Sequence, residues 1–283
     1  MNTSPLIDAE TLATHIGEAD WVVVDCRFQL TEPDAGFAAY REGHIPGARY
    51  AHLDNDLAAP IGPADGRHPL PDPDQLVKTL SRWGIGNDTQ VVLYDDVSGA
   101  IAARLWWLLR WIGHERVAIL DGGLNAWLAH REPLETKTPH SNSAEFSPAP
   151  PNSDWVVQSS ELTGLIDSGA MLLDARSGER FRGEAEPIDP IAGHVPGARN
   201  LPFSALVTEK GTLLERDELR ERFGQVLGRT EGNNVVAMCG SGVTACHLLF
   251  AMSAAGMTVG RLYAGSWSEW IRDNEHEIAT GPN

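Results

Sequence analysis

The chain is poor in cysteine and in basic residues, and it has no long hydrophobic run. Only three of its 283 residues are cysteine, too few for the disulfide framework of a secreted domain. No stretch reaches the roughly 18 consecutive apolar residues of a membrane span, and the N-terminal residues do not resemble a signal peptide. We therefore expect a cytoplasmic location, where a free thiolate survives.

The shortage of basic residues limits the possible partners. The chain has 22 Lys and Arg against 39 Asp and Glu, a formal net charge of -17. Such a surface repels phosphate backbones and anionic lipids, so we expect neither nucleic acid nor membrane as a partner. A small anionic substrate would need a site with local positive potential.

What the sequence does contain is a repeat. Four segments occur twice in the same order, namely 22–27 and 171–176, 43–49 and 193–199, 91–95 and 235–239, and 121–123 and 264–266. Four matches in register indicate a duplicated unit. We predict an N-terminal domain over residues 1–133 and a C-terminal domain over 155–283. The linker between them, 134–154, is rich in proline, serine and asparagine.

The pattern within each copy predicts an α/β fold. Short apolar runs such as 22–25, 91–95 and 235–238 are typical of buried strands, and 100–112 and 244–255 are typical of helices. Alternating strands and helices predict a parallel sheet flanked by helices. Ligands of such sheets bind beyond the carboxyl ends of the strands, where Cys239 lies.

The loop that contains Cys239 is the strongest candidate for a reactive site. The strand 235–238 leads into Cys239, Gly240, Ser241, Gly242, Val243 and Thr244, and a predicted helix follows. Glycines allow positive φ, so the backbone N–H groups can point at the sulfur, and the helix N-terminus adds partial positive charge. Such surroundings favour a nucleophilic thiolate. Cys26 and Cys246 are more typical of cysteines that only pack.

A phosphatase or arsenate reductase is a second interpretation of such a loop. Those enzymes place an arginine at the sixth position after the cysteine, where this chain has Ala245. Without that arginine a phosphoryl dianion lacks its bidentate partner, so we disfavour this class.

These motifs resemble the two-domain rhodanese family. The resemblance rests on two Gly-His-x-Pro-Gly-Ala segments, the glycine pair 122–123 followed by Trp127, and the loop from Cys239 to Ala245. The loop is similar to that of the 3-mercaptopyruvate sulfurtransferases in this family. The resemblance covers about residues 21–270 and implies two tandem rhodanese-like domains. Only the second would be catalytic, because Asp95 stands where the first copy would need its cysteine.

The resemblance also implies an activity. A sulfurtransferase of this kind moves a sulfane sulfur from 3-mercaptopyruvate to a thiol or cyanide acceptor, through a persulfide on Cys239. The acceptor thiol would come from a partner such as thioredoxin or glutathione. Neither a metal nor an organic cofactor is implied.

Individual site residues follow from the same resemblance. Arg180 matches an arginine that contacts the anionic donor. The loop residues expected to surround the donor are Gly240, Gly242, Val243 and Thr244. Arg182 is an alternative to Arg180. Ser241, His44 and Asp34 resemble a Ser/His/Asp set that handles protons. His44 could instead be structural, because His194 occupies the same place in the second copy.

The identity of the donor stays open at this point. Mercaptopyruvate enzymes often carry a second arginine between Arg180 and the second Gly-His-x-Pro-Gly-Ala segment, and residues 184–192 contain none. Thiosulfate is the rival donor, but its specific enzymes place cations inside the loop, so we expect 3-mercaptopyruvate. A non-catalytic rhodanese-like binding module is the third possibility, and the presence of Cys239 argues against it.

Overall fold

The computed structural model describes residues 4–140 and 142–282, which form two compact units. Unit 1 consists of Met1–Ala59, Leu70–Asn152 and Glu209–Leu213, and unit 2 of Pro60–Pro69, Ser153–Thr208 and Leu214–Asn283. Each unit therefore contains a short segment from the other half of the chain. The predicted N-terminal domain, 1–133, includes residues 60–69, whereas in the structure they group with the second half of the chain.

Unit 1 is built on a five-stranded parallel sheet. Its strands are β1 (Leu6–Ile7), β2 (Trp21–Asp25), β3 (Arg49–Tyr50), β4 (Gln90–Tyr94) and β5 (Val117–Leu120). Their order in the sheet is β1-β5-β4-β2-β3. The helices are α1 (Ala9–His15), α2 (Ala35–Glu42), α3 (Leu53–Asp56), α4 (Pro73–Arg82), α5 (Ala102–Trp111) and α6 (Gly123–Ala129).

Unit 2 repeats this arrangement with a four-stranded parallel sheet. Its strands are β6 (Met171–Asp174), β7 (Arg199–Asn200), β8 (Val235–Met238) and β9 (Arg261–Leu262), in the order β7-β6-β8-β9. The helices are α7 (Ser159–Asp167), α8 (Gly178–Arg182), α9 (Arg216–Leu227), α10 (Thr244–Ala254) and α11 (Ser266–Trp270). A parallel bridge between Val156 and Leu262 takes the place that β1 has in unit 1.

The predicted fold class is confirmed in both halves. Each sheet is parallel and flanked by helices, and the predicted helices 100–112 and 244–255 are α5 and α10. Residues 259–263 form another short run that is typical of a strand, but only Arg261–Leu262 are paired as one. Parallel strands need crossover connections, so the carboxyl ends of β4 and β8 lead into α5 and α10.

A buried ion pair fixes the same turn in both copies. Arg27 pairs with Asp25 at 2.6 Å and donates at 2.7 Å to the carbonyl of the glycine that opens the first Gly-His-x-Pro-Gly-Ala segment. Arg176 and Asp174 repeat both bonds at the same lengths in the second copy. These carboxylates therefore hold loops in place, and the repeat extends to individual hydrogen bonds.

Each unit also has its own apolar core. The core of unit 1 includes Val92 and Trp127, and that of unit 2 includes Val236 and Trp270. Both indoles are buried and satisfied, with N–H groups that donate to backbone carbonyls at 2.9 and 3.0 Å. Within residues 4–140 and 142–282, no helix has the length and apolar character that a membrane crossing requires.

Candidate active site

Cys239 lies at the carboxyl end of β8, at the bottom of a tight loop. It is 2% exposed, and its Sγ accepts the backbone N–H of Gly242 at 3.1 Å. The helix α10 begins at Thr244, so the partial positive charge of its N-terminus is close to the sulfur. Both features stabilise negative charge on Sγ, which is what a nucleophilic cysteine requires.

The two glycines of this loop have different roles. Gly242 has φ +75, and a side chain there would overlap the carbonyl oxygen of Ala264. Gly240 does not have a positive φ, so the expectation of left-handed backbone at both glycines is wrong for Gly240. A Cβ on Gly240 would lie 3.0 Å from Nη2 of Arg67 and 3.4 Å from Nη2 of Arg180. Gly240 therefore provides space for two guanidinium groups.

Ser266 anchors the backbone of Cys239. Its Oγ accepts the N–H of Cys239 at 3.1 Å and donates to the carbonyl of Tyr263 at 2.9 Å. Ser266 is fully buried and has φ +54, a conformation that costs a non-glycine residue about 1–3 kcal/mol. Ser266 thus both fixes the backbone of Cys239 through its hydroxyl and has a strained backbone itself.

Arg180 projects from α8 to the cysteine loop and is held by two acidic side chains. Its Nε donates to Glu186 and its Nη2 to Asp189, each at 3.0 Å. Burial opposes ionisation of Glu186, but the hydrogen bonds from Arg180 and from backbone N–H groups lower the pKa of Glu186 below its ordinary value. Arg180, the predicted donor-binding arginine, is therefore a fixed cation at Gly240.

The segment Pro60–Pro69 brings two further polar side chains to the loop. The Nδ1 of His68 lies 2.7 Å from Oγ of Ser241, and both residues are 4% exposed. The backbone N–H of Arg67 donates to Oγ of Ser268 at 2.9 Å, and its guanidinium forms an ion pair with Asp189. A histidine and an arginine from the first half of the sequence thus belong to the unit that contains Cys239.

The histidine beside Ser241 is therefore His68, which corrects the sequence-based assignment of His44. His44 is fully buried in its own turn, where Nδ1 bonds to the carbonyl of Tyr40 at 2.8 Å and the ring stacks on Tyr40. His194 makes the same two contacts with Phe181 in the second copy. A histidine that makes the same two contacts in both copies serves the turn that the copies share, so His44 and His194 are structural.

Asp34 is the second correction. It directly precedes α2, is exposed, and makes no side-chain hydrogen bond to cap that helix. The local alignment on which it rested gave no physical reason for a buried partner of histidine. In the described part of the chain, no hydrogen bond or ion pair joins Asp34 to His44, whose ring contacts Tyr40 instead.

The other predicted residues are distributed as follows. Val243 is buried immediately before α10, and Thr244 is its first residue. Arg182 pairs at 2.7 Å with Glu184 on the surface, in contrast to Arg180. Sequence reasoning missed Arg67 and His68, because it searched for motifs present in both copies. The available signal was an Arg-His pair between Gly66 and Pro69 in an otherwise acidic chain.

The other two cysteines, Cys26 and Cys246, are buried away from the exposed face of the Cys239 loop. Cys26 is fully buried, and burial together with nearby carboxylates raises the pKa of its thiol well above the ordinary value. The Sγ of Cys246 lies 3.2 Å from the carbonyl of Gly242 and is buried in α10. In the described part of the chain, no group of three or more His, Cys, Asp or Glu side chains could hold a metal ion.

Comparison with known proteins gives a consistent result. The model of the rhodanese-like domain matches residues 8–130 and 158–273. The chain is 47% identical over 99% of its length to all of a Pseudomonas aeruginosa protein named "Probable 3-mercaptopyruvate sulfurtransferase". It is 31% identical over 99% of its length to 85% of thiosulfate/3-mercaptopyruvate sulfurtransferase 2 of Arabidopsis thaliana. Among solved structures, the 3-mercaptopyruvate sulfurtransferase from Leishmania major matches with a TM-score of 0.84 and 30% identity, over 94% of this chain and 73% of that one.

Proposed function

Because the chain belongs to the rhodanese-like family and is a sulfurtransferase, we propose that Cys239 carries the sulfur as a persulfide and that 3-mercaptopyruvate is the donor. The observation that carries this proposal is the position of Sγ, bonded to the N–H of Gly242 beside the start of α10. Thiolate, persulfide and leaving anion all bear negative charge, and this loop stabilises such charge.

The proposed first half-reaction balances without a cofactor. The Cys239 thiolate attacks the donor sulfur and forms an S–S bond, while the bond from that sulfur to C3 of mercaptopyruvate breaks. The electron pair of the broken bond stays on C3 as an enolate, which takes up the proton that the donor sulfur releases. The products are the Cys239 persulfide and pyruvate, and an acceptor thiol then removes the outer sulfur.

The pair of Ser241 and His68 is suited to moving that proton. A hydroxyl and an imidazole 2.7 Å apart can pass a proton between the donor sulfur and C3, since both groups donate and accept. The family resemblance implied that Ser241 and His44 handle protons. We assign this role to Ser241 and His68 instead.

The local charge favours a monoanionic donor. Arg67 and Arg180 lie at Gly240, but Asp189 and Glu186 neutralise them through ion pairs. The loop itself contains no cation, and the two arginines beside it are paired with two carboxylates, so the local balance of charge is close to zero. A dianion such as thiosulfate gains more from excess positive charge than a monoanion does, so 3-mercaptopyruvate fits this balance better.

We further propose a division of roles between the two predicted domains. The N-terminal domain, predicted over residues 1–133, has no nucleophile, since Asp95 cannot accept sulfur, whereas the C-terminal domain, predicted over 155–283, contains Cys239 and is completed in its unit by Pro60–Pro69. The sulfur acceptor is a small or protein thiol, for which glutathione and thioredoxin are the candidates. A reducing cytoplasm suits a chain whose three cysteines are all free and buried.

Two measurements test the proposal. After incubation with 3-mercaptopyruvate and no acceptor, mass spectrometry of the peptide containing Cys239 should show the addition of one sulfur atom. The kcat/KM for 3-mercaptopyruvate should exceed that for thiosulfate under the same conditions. A persulfide on another cysteine would contradict the role of Cys239, and a preference for thiosulfate would contradict only the choice of donor.

A further inference from the structure

In unit 1, the turn of the first Gly-His-x-Pro-Gly-Ala segment binds a carboxylate of its own chain. His44 and Glu135 form an antiparallel bridge. Oε1 of Glu135 accepts the backbone N–H of Gly47 at 2.6 Å and lies 3.7 Å from Nε2 of His44. Burial lowers the pKa of Arg49, and the charge of Glu135 is among the groups that oppose that shift, so this guanidinium also attracts the carboxylate. The turn is therefore a carboxylate site that the first copy fills with its own side chain.

Unit 2 has the same turn without that carboxylate. His194 forms an antiparallel bridge with Ala279, so an alanine stands where the first copy has Glu135. Gly197 has φ +82 against +77 for Gly47, so the N–H that binds the carboxylate in unit 1 belongs to a turn of the same conformation in unit 2. The second copy therefore has the turn of a carboxylate site but not the side chain that fills it.

A surface pocket of about 520 Å³ lies at this turn, and its lining includes His194, Gly197, Arg199 and Ala279. Among the described residues, none of those that line the pocket is acidic. Within 4–140 and 142–282, the N–H of Gly197 has no acceptor and Arg199 has no acidic partner, although its guanidinium donates to a backbone carbonyl at 3.0 Å. His194 is 5% exposed, whereas His44 is 0% exposed. The groups that surround a carboxylate in unit 1 are thus open to a ligand in unit 2.

We propose that this pocket binds the carboxylate of a small organic acid, in the position that the carboxylate of Glu135 occupies in unit 1. The N–H of Gly197 donates to the carboxylate, the guanidinium of Arg199 attracts it, and the ring of His194 forms one wall. In a chain with a formal net charge of -17, an anion binds only where local positive potential outweighs the general repulsion. The site shares no residue with the Cys239 loop, so the inference goes beyond the proposed function.

The alternative is that the pocket is only open surface beside a small side chain. The two copies differ at the residue that bridges the histidine, so each site can be converted into the other. Ala279→Glu gives unit 2 the carboxylate of unit 1, and Glu135→Ala opens in unit 1 the space that unit 2 has. A carboxylate site predicts opposite effects of these two changes on the binding of an added acid.

The test is an NMR titration of the nitrogen-15-labelled enzyme with sodium acetate at constant ionic strength. In the wild type, the amide signal of Gly197 should shift with a dissociation constant on the order of 1–10 mM, and acetamide, the neutral analogue, should not shift it. Ala279→Glu should weaken this binding about tenfold or more. It should also raise the melting temperature by about 1–4 °C, because its own carboxylate takes the place of the ligand. Arg199→Ala should weaken binding about tenfold.

Arg182→Ala is the matched control. Arg182 is another arginine of unit 2, but its side chain pairs with Glu184 at 2.7 Å, and its backbone carbonyl accepts the N–H of Gly281 close to the pocket. This variant should bind acetate as the wild type does. Glu135→Ala should create a second site, detected as a new acetate-dependent shift of the Gly47 amide signal.

The inference is overturned by a Gly197 signal that does not respond to about 100 mM acetate. An equal response to acetamide, or an unchanged response in Ala279→Glu, overturns it as well. If Glu135→Ala does not fold, Ala279→Glu and Arg199→Ala still decide the question, because neither of these two residues is buried. None of the readouts depends on sulfur transfer, so the outcome is independent of the proposed function.

Discussion

The loop after β4 and the loop after β8 have the same design but different occupants. In the first, the carboxylate of Asp95 accepts four backbone N–H groups at 2.8–2.9 Å, from Val97, Gly99, Ile101 and Ala102. In the second, Sγ of Cys239 accepts the N–H of Gly242. Both loops therefore hold a side chain that accepts backbone N–H groups shortly before a helix, and only the second of these side chains is the proposed sulfur carrier.

The difference shows how a reactive site can be converted into a structural one. Asp95 is fully buried, and burial raises the pKa of its carboxyl while the four N–H groups oppose that shift. A fixed carboxylate satisfies the loop permanently, so the first copy needs no substrate to complete it. In the second loop a thiol takes the place of that carboxylate, with its Sγ bonded to the N–H of Gly242.

The largest effect on activity is expected from replacing Cys239, the residue that stands where the first loop has Asp95. Cys239→Ser keeps the size of the side chain but removes the thiolate, so kcat/KM should fall by about four orders of magnitude or more. The melting temperature should remain close to that of the wild type. Cys26→Ser and Cys246→Ser are the controls and should keep most activity, as judged by steady-state rates. Substantial turnover by Cys239→Ser would contradict the central proposal.

The second effect concerns the first loop and should appear in stability. Asp95→Ala leaves several buried N–H groups without their acceptor and should lower the free energy of unfolding by about 3–5 kcal/mol. Chemical denaturation followed by tryptophan fluorescence measures this loss. Asp96→Asn alters the adjacent exposed carboxylate and should be nearly neutral. A fully stable Asp95→Ala protein would show that the carboxylate does not hold its loop.

The third effect tests the second residue after the residue that follows each strand, which is Val97 in the first loop and Ser241 in the second. Ser241→Ala and His68→Gln should each lower kcat roughly 10- to 100-fold, at the lower end of general acid–base effects. The double variant should lose little more than either single one, because the two side chains act as a unit. Additive losses in steady-state kinetics would argue against a shared proton path. His44→Gln should change stability more than kcat.

The smallest effect concerns Ser266, which aligns with Gly123 in the first copy and has nearly the same φ, +54 against +56. Ser266→Gly relieves the strain but removes the acceptor of the Cys239 N–H, so kcat should fall roughly two- to tenfold. Ser266→Ala loses the hydroxyl without relieving the strain, and should therefore be less stable than Ser266→Gly in thermal unfolding. Equal stability of the two variants would contradict the assignment of strain.

The repeat made much of this predictable from sequence. Short apolar runs gave the parallel strands, and the strand-loop-helix context distinguished Cys239 from Cys26 and Cys246. The repeat is a poor guide to the site, because a motif present in both copies, such as that of His44 and His194, serves the fold that the copies share. What differs between the copies had to be found in three dimensions.

Arg67 and His68 could not be predicted for that reason. They lie outside every duplicated segment, and no periodicity indicates that Pro60–Pro69 joins the second unit. Positive φ was the predicted role of Gly240, whereas in the structure this glycine leaves space for guanidinium groups. A sequence cannot distinguish these two reasons for a glycine.

The placement of Pro60–Pro69 has a consequence for the gene. A fragment that encodes only residues 155–283 would specify Cys239, Ser241 and Arg180 but neither Arg67 nor His68, so it would lack two side chains that lie at the cysteine loop. The second copy of the duplicated coding sequence therefore does not by itself specify the whole unit that contains Cys239. Inherited changes that impair sulfur transfer are expected in both halves, although the nucleophile is encoded in only one.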